Sequence, residues 1–237
     1  MTPYRQVSRP PRGDRPWVLA NMVGSLDGSA AVAGRVGVLS TPADAQLFRE
    51  LRSVADVVLV GAETVRRERY GPVRLNEALQ ADRVRAGQSP LPPIAVVSRA
   101  AAFDWSIPLF ADSDPAVRPL LVTCTAAHPT QLDEASQHAE LVMAGESSVD
   151  VADALRQLRE RGAGVVLCEG GPTLLGGLVA AGLLDELCLT ITPVMGGDPL
   201  PLSVAPVGAD LARFALAHTL VDDDGTLFLR YETVGSR

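Results

Sequence analysis

The chain has 237 residues, 47% of them hydrophobic and 21% charged, with a formal net charge of −7. That length holds one large α/β domain or two small ones, with core enough to need neither disulfides nor structural metal. The acidity argues against nucleic acid as a partner. All 21 basic residues are arginine, which excludes Schiff-base, P-loop and ordinary protein-kinase chemistry, since each requires a lysine.

The first sixteen residues are rich in Pro and Arg and lack the apolar segment of a signal peptide, so residues 1–16 predict a loosely ordered arm and 17–237 a single domain. No apolar run reaches the ~18 residues of a membrane span, and the expected location is the cytoplasm. Trp17 to Val23 is the first predicted strand. Ser40-Thr41-Pro42-Ala43-Asp44 opens a helix with a Thr cap, Pro at the first helical position and an acid in the first turn. Leu47, Leu51 and Val54 carry it onward at helical spacing. Val57 to Val60 is an apolar run of buried parallel-strand type, ended by Gly61, and Glu63 to Arg69 reads as a short helix. Tyr70 to Pro93 reads as a polar surface excursion.

Ile94 to Val97 and Pro119 to Thr123 are further buried strands, and Val149 to Arg161 is an amphipathic helix. Gly164 to Cys168 is a strand that runs directly into Glu169-Gly170-Gly171-Pro172-Thr173 and a helix to about Ala181. Leu187 to Pro193, Phe214 to Leu220 and Thr226 to Tyr231 close the chain as strands, with the hairpin dipeptide Asp224-Gly225 between the last two. Alternating β and α followed by a β-rich end predicts an α/β fold. Its central sheet is mostly parallel, with helices on both faces and an antiparallel C-terminal edge.

Cys124, Cys168 and Cys188 are scattered and form no C-x-x-C pair, so they read as reduced thiols, Cys168 and Cys188 as buried apolar groups. His128, His138 and His218 have no ligand spacing, and no metal site is expected.

The turn from Glu169 to Thr173 is the clearest chemical feature. Two glycines leave backbone N–H groups uncovered at a helix N-terminus, a place that favours an anion, and Pro172 at the first helical position sacrifices no hydrogen bond. Dinucleotide or phosphate binding is one reading and a plain strand–helix connection the other; the motif is not G-x-G-x-x-G. Asn21 to Gly28 bends off the first strand, either as a polar pocket rim or as an ordinary Asp-Gly turn. Gly61-Ala62-Glu63-Thr64-Val65 is a third strand end that opens a helix. Arg52 lies off the apolar face of its helix and reads as solvated surface by default, although arginine is suited to clamp a phosphate with two bonds.

Taken in order, N-x-x-G-S-L-D-G, S-T-P-x-D with Leu51-Arg52, V-G-x-x-T-V, E-G-G-P-T-L and L-x-D-E-L…P-x-x-G-G resemble the pyrimidine reductase family of riboflavin biosynthesis. That family is the domain that follows the deaminase in bifunctional bacterial enzymes. The resemblance runs from about Trp17 to Tyr231, and since the deaminase motif P-C-x-x-C is absent, it points to a stand-alone reductase.

The resemblance implies a dihydrofolate-reductase-like three-layer αβα fold and NADPH as cofactor. It also implies hydride transfer to C1′ of the ribosyl group on a phosphorylated aminopyrimidine, in aminated or deaminated form. By position it implies that Gly170, Gly171, Pro172, Thr173 and Leu174 cradle the cofactor pyrophosphate, with Thr64 and Glu68 also touching the cofactor. Glu68 stands where the family usually has Asp. Ser98 and Arg99 are similarly placed for the adenosine 2′-phosphate. Arg52, Arg74 and Glu169 match substrate contacts, Glu169 as an acceptor for pyrimidine amino groups; Asn21 lines the same mouth, and Asp27 is the acid placed to handle a proton. Family members are often homodimers.

Arg35-Val36-Gly37-Val38-Leu39 departs from the Ser and Trp common in bifunctional members, which bears on the substrate end of the pocket. Dihydrofolate or another pterin is therefore an alternative substrate. A non-catalytic NADP-binding sensor is the other alternative, distinguished by whether a substrate clamp is kept.

Overall fold

The computed structural model describes residues 2–234. Nine strands among them form one sheet: β1 (Trp17–Ser25), β2 (Val57–Gly61), β3 (Ile94–Val97), β4 (Leu120–Thr123), β5 (Glu140–Met143), β6 (Val165–Cys168), β7 (Glu186–Thr192), β8 (Phe214–Val221) and β9 (Leu227–Thr233). Their spatial order is β5-β4-β3-β2-β6-β1-β7-β9-β8. All pairings from β5 to β7 are parallel. β9 runs antiparallel between β7 and β8, which gives the C-terminal edge expected from the Asp224-Gly225 hairpin.

The helices are α1 (Thr2–Arg5), α2 (Pro42–Val54), α3 (Ala62–Arg67), α4 (Glu77–Arg85), α5 (Pro108–Ala111), α6 (Pro129–His138), α7 (Val151–Glu160) and α8 (Pro172–Ala180). Alternate strand residues face opposite sides of the sheet, so two apolar layers result. One packs Leu19, Val58, Val60 and Leu167 against Leu47 and Leu51 of α2, Val65 of α3 and Ala135 of α6. The other packs Val18, Ala20, Leu59 and Val166 against Leu155 and Leu158 of α7 and Leu174 and Leu178 of α8. Each fully buried leucine contributes about 2 kcal/mol through area removed from water. The three buried cysteines are free.

Three segments differ from the sequence expectation. The first sixteen residues are not a loose arm over their described part, because Tyr4 is fully buried and Arg9 is buried against Glu186. The stretch from Tyr70 to Pro93 is not a surface excursion: it holds α4, buries Val73 and Leu75, and sinks Arg83 to 1% exposure. The Arg83 guanidinium donates to the carbonyls of Ser53, Ala55 and Ser89, so it satisfies acceptors left over where α2 ends. Finally, α6 and β5 were not expected. α6 buries only Ala135 fully, too little to give a helical period, and β5 is a four-residue edge strand.

The neighbours β3, β2, β6 and β1 all end at one edge of the sheet. In an open parallel sheet that edge is where loops and helix N-termini converge on a ligand.

Candidate active site

The loops leaving those four strands enclose a cleft of about 1180 Å³. Its floor is the β6–α8 turn. Gly170 and Gly171 adopt φ values of 99° and 72°, in a region that only glycine enters without cost. A Cβ on Gly171 would sit 3.3 Å from Thr64 Oγ1, and the Gly170 carbonyl accepts from Gly61 N at 3.0 Å. The turn thus lies flat against the start of α3. No side chain caps α8, so its first N–H groups face the cleft, where a phosphate is the natural partner. Thr64, Pro172, Thr173 and Leu174 line the same wall. This glycine cradle, built where a Cβ would intrude, fits a dinucleotide pyrophosphate.

Beside this turn, at Glu169, stands a polar cluster. Arg52 of α2 grips Glu169 with two parallel bonds, Nε to Oε1 at 2.5 Å and Nη2 to Oε2 at 2.6 Å. The Tyr70 hydroxyl donates to Glu169 Oε2 at 3.0 Å. The Arg52 guanidinium also lies 4.1 Å from the Phe48 ring centroid. The Glu169 side chain has no exposed surface, whereas 13% of the Arg52 side chain reaches the cleft. Burial pulls the Arg52 guanidinium downward, but the charge and bonds of Glu169 outweigh it and raise its pKa. Burial raises Tyr70, and the neighbouring Glu169 charge adds to it, so its hydroxyl keeps its proton. Glu169 lines the cleft with its carboxylate held by Arg52 and Tyr70.

Asn21 of β1 lines the cleft, and its Oδ1 is buried without a partner among the described residues. Asp44, also in the lining, turns its carboxylate inward to the hydroxyls of Thr190 and Ser40, each at 2.6 Å. Arg74 reaches the cleft from the exposed surface and forms no ion pair among the described residues.

Ser98 and Arg99 lie at the β3 end of the cleft; Arg99 Nε donates to Ser147 O at 3.1 Å. Glu68 also lines it, but its carboxylate accepts from Val36 N at 3.1 Å and so ties the end of α3 to the Arg35–Leu39 loop. Val36 and Gly37 of that loop face the cleft, while Val38 is 63% exposed.

Asp27 is the residue that the structure does not bring into the cleft. Its carboxylate accepts from the Ser25 hydroxyl and from Gly196 N, and these bonds lower its pKa. It closes the turn after β1, the ordinary Asp-Gly alternative.

Phe48, Tyr70 and Asp44 were not singled out as site residues from the sequence. Asp44, Phe48 and Arg52 recur every fourth residue along α2, a spacing that puts them on one helix face and could have disclosed the wall. Tyr70 carried no such signal.

Among the described residues no helix is long and apolar enough to cross a membrane. The family model of the RibD C-terminal domain matches residues 16–228. The chain is 30% identical over 211 residues to the 2,5-diamino-6-ribosylamino-4(3H)-pyrimidinone 5′-phosphate reductase of Methanothermobacter thermautotrophicus, covering 89% of this chain and 86% of that one. Among solved structures, a pyrimidine reductase-like protein from Corynebacterium diphtheriae superposes with a TM-score of 0.83 at 31% identity, over 93% of each chain. The dihydrofolate reductase of Enterococcus faecalis superposes with a TM-score of 0.51 at 14% identity, over 92% of this chain and 96% of that one, a likeness of fold alone. With its parallel sheet, glycine cradle and arginine-lined cleft, this chain belongs to the RibD C-terminal domain family and has the dihydrofolate-reductase-like fold.

Proposed function

We propose that the protein is an oxidoreductase of riboflavin biosynthesis that reduces the ribosylamino group of a phosphorylated aminopyrimidine to its open-chain ribityl form, with NADPH as cofactor. One observation carries the reading: a single cleft is lined both by the start of α8, which no side chain caps among the described residues, and by Arg52 and Arg74. A cofactor pyrophosphate fits the first and a substrate phosphate the second. A cofactor sensor has no use for the second.

When bound, NADPH supplies a hydride to C1′ of the substrate. The chain's own residues hold and orient. Gly171 and the N–H groups of Thr173 and Leu174 hold the pyrophosphate, with the Thr64 side chain beside them. Ser98 and Arg99 favour the 2′-phosphate through charge-assisted bonds. Arg52 and Arg74 take the substrate phosphate, and the free Oδ1 of Asn21 accepts from a ring amino group. Orientation of this kind is the protein's main contribution to hydride transfer.

The exposed apolar side chains of Leu211, Leu216 and Val221, on and before the edge strand β8, support a homodimer, because an open edge invites a second chain. Light scattering after gel filtration reads this directly, a monomer mass refuting it.

The function is tested by following NADPH absorbance with the phosphoribosylamino-pyrimidine in aminated and deaminated forms, and with dihydrofolate in parallel. Oxidation with a pyrimidine is expected. Oxidation with dihydrofolate alone would refute the reading and point to a pocket reshaped by Val36 and Val38. Cofactor binding without turnover of any substrate would leave the sensor.

A further inference from the structure

Glu169 has three of its lone pairs occupied, two by Arg52 and one by Tyr70, and no exposed surface with which to meet a ligand. Phe48, Arg52, Tyr70 and Glu169 all line the cleft, and 13% of the Arg52 side chain is exposed, against none of the Glu169 side chain. Arg52 Nε and one Nη2 hydrogen are committed to Glu169, while Nη1 takes no protein partner among the described residues. A carboxylate gripped only by a guanidinium can still pivot with it as one plate. The third donor, from Tyr70, reaches Oε2 from a separate chain segment and removes that freedom.

Tyr70 is itself fixed on both sides of its backbone. Its N–H donates to Val65 O at 3.1 Å, and its carbonyl accepts from Leu109 N at 2.9 Å. The guanidinium is further confined by two rings, Phe48 at 4.1 Å and Tyr70 at 5.8 Å. Among the described residues, the hydrogen-bond and ring partners of the Arg52 guanidinium are thus Glu169, Phe48 and Tyr70.

We infer that Tyr70 is a positioning residue for substrate binding: through Glu169 its hydroxyl holds the guanidinium of Arg52 with the Nη1 edge toward the substrate phosphate. This inference rests on the proposed function, which places a phosphate at Arg52, and extends it to a residue that does not itself bind the phosphate. The phenol acts as a neutral donor, so removing the hydroxyl changes geometry and leaves the charge at the site unaltered.

The test is Tyr70→Phe, which keeps the ring and deletes one hydrogen bond. With the phosphorylated pyrimidine, KM is expected to rise about fivefold to tenfold, the net worth of one ordinary hydrogen bond. KM for NADPH should not move. The dephosphorylated substrate, which offers Arg52 nothing to hold, should show no comparable rise. Equal losses with and without the phosphate, or a fall in kcat alone, would overturn the inference. A second measurement does not depend on turnover: calorimetric binding of ribose 5-phosphate to the wild type, Tyr70→Phe and Arg52→Gln. Weaker binding in both variants supports the inference even if no pyrimidine is reduced, which would then count against the proposed function alone. Wild-type affinity in Tyr70→Phe, or no binding by the wild type, would overturn it.

Discussion

Arg9 and Glu186, 177 positions apart, meet as a two-pronged ion pair, with Nε to Oε2 at 2.8 Å and Nη2 to Oε1 at 2.7 Å. Neither side chain is more than 2% exposed. The Arg9 guanidinium also donates to the Tyr4 carbonyl, and Trp17 Nε1 donates to Glu186. The segment before β1 therefore supplies the main cation that answers a carboxylate buried at the start of β7.

Replacing Arg9 by methionine leaves Glu186 in the core with Arg230, at 3.7 Å, Trp17 and the Cys188 thiol nearby. The expected loss is about 3 kcal/mol of unfolding free energy, the usual result of breaking one side of a buried pair. Urea denaturation should show a lower midpoint at unchanged slope. Arg9→Lys should recover only part of the loss, because an ammonium cannot form the two parallel bonds.

Gly171→Ala tests the cofactor cradle. The residue's φ of 72° and the Thr64 hydroxyl 3.3 Å from the added Cβ both oppose the change. Stability should fall by about 1–2 kcal/mol. NADPH affinity, read by titration calorimetry, should fall by at least tenfold while ribose 5-phosphate binding persists. An unchanged NADPH affinity would remove the turn from the cofactor site.

The thiols give a pH prediction. Burial pushes Cys168 from its ordinary value of 9.0 up to about 12, and burial raises Cys188 as well. The folded protein then keeps protons that the unfolded chain gives up. Their contribution to stability is whole below pH 9 and is lost progressively as the pH climbs toward 12. At mildly alkaline pH a thiol reagent should leave both native residues unmodified and label them on unfolding.

Asp27→Asn separates the turn from the chemistry. The Ser25 and Gly196 donors lower the Asp27 pKa from 3.8, so its contribution is present above that value and is lost as pH falls through the folded one. Turnover should stay within about twofold of the wild type, as for an exposed surface change. A small loss of melting temperature at neutral pH should vanish under acid conditions. A large drop in kcat would return Asp27 to the reaction.

Much of the site was legible because its parts lie in short contiguous motifs. Gly170 to Thr173 declares an uncapped helix start through residue type alone, whereas Thr64 and Arg74 were assigned only through the resemblance to the family. Arg52 was legible as an arginine on the polar face of α2, but its use was not. It is drawn into the cleft by Glu169, 117 positions away, and no local pattern encodes that meeting. The same holds for Asp27, whose local sequence serves a catalytic rim and a plain turn equally well.

By itself the sequence determined the buried strands of a mostly parallel sheet, the C-terminal hairpin and the glycine turn, because strand burial, turn chemistry and helix capping are properties of neighbouring residues. Only the tertiary structure decided that residues before β1 are docked, that Arg83 is sunk beneath the end of α2, and that Glu169 faces Arg52 and Tyr70 instead of open solvent. Those outcomes depend on buried charges finding partners across the chain. A charge leaves water only when a specific opposite group or set of carbonyls waits for it, and that condition is met in three dimensions alone.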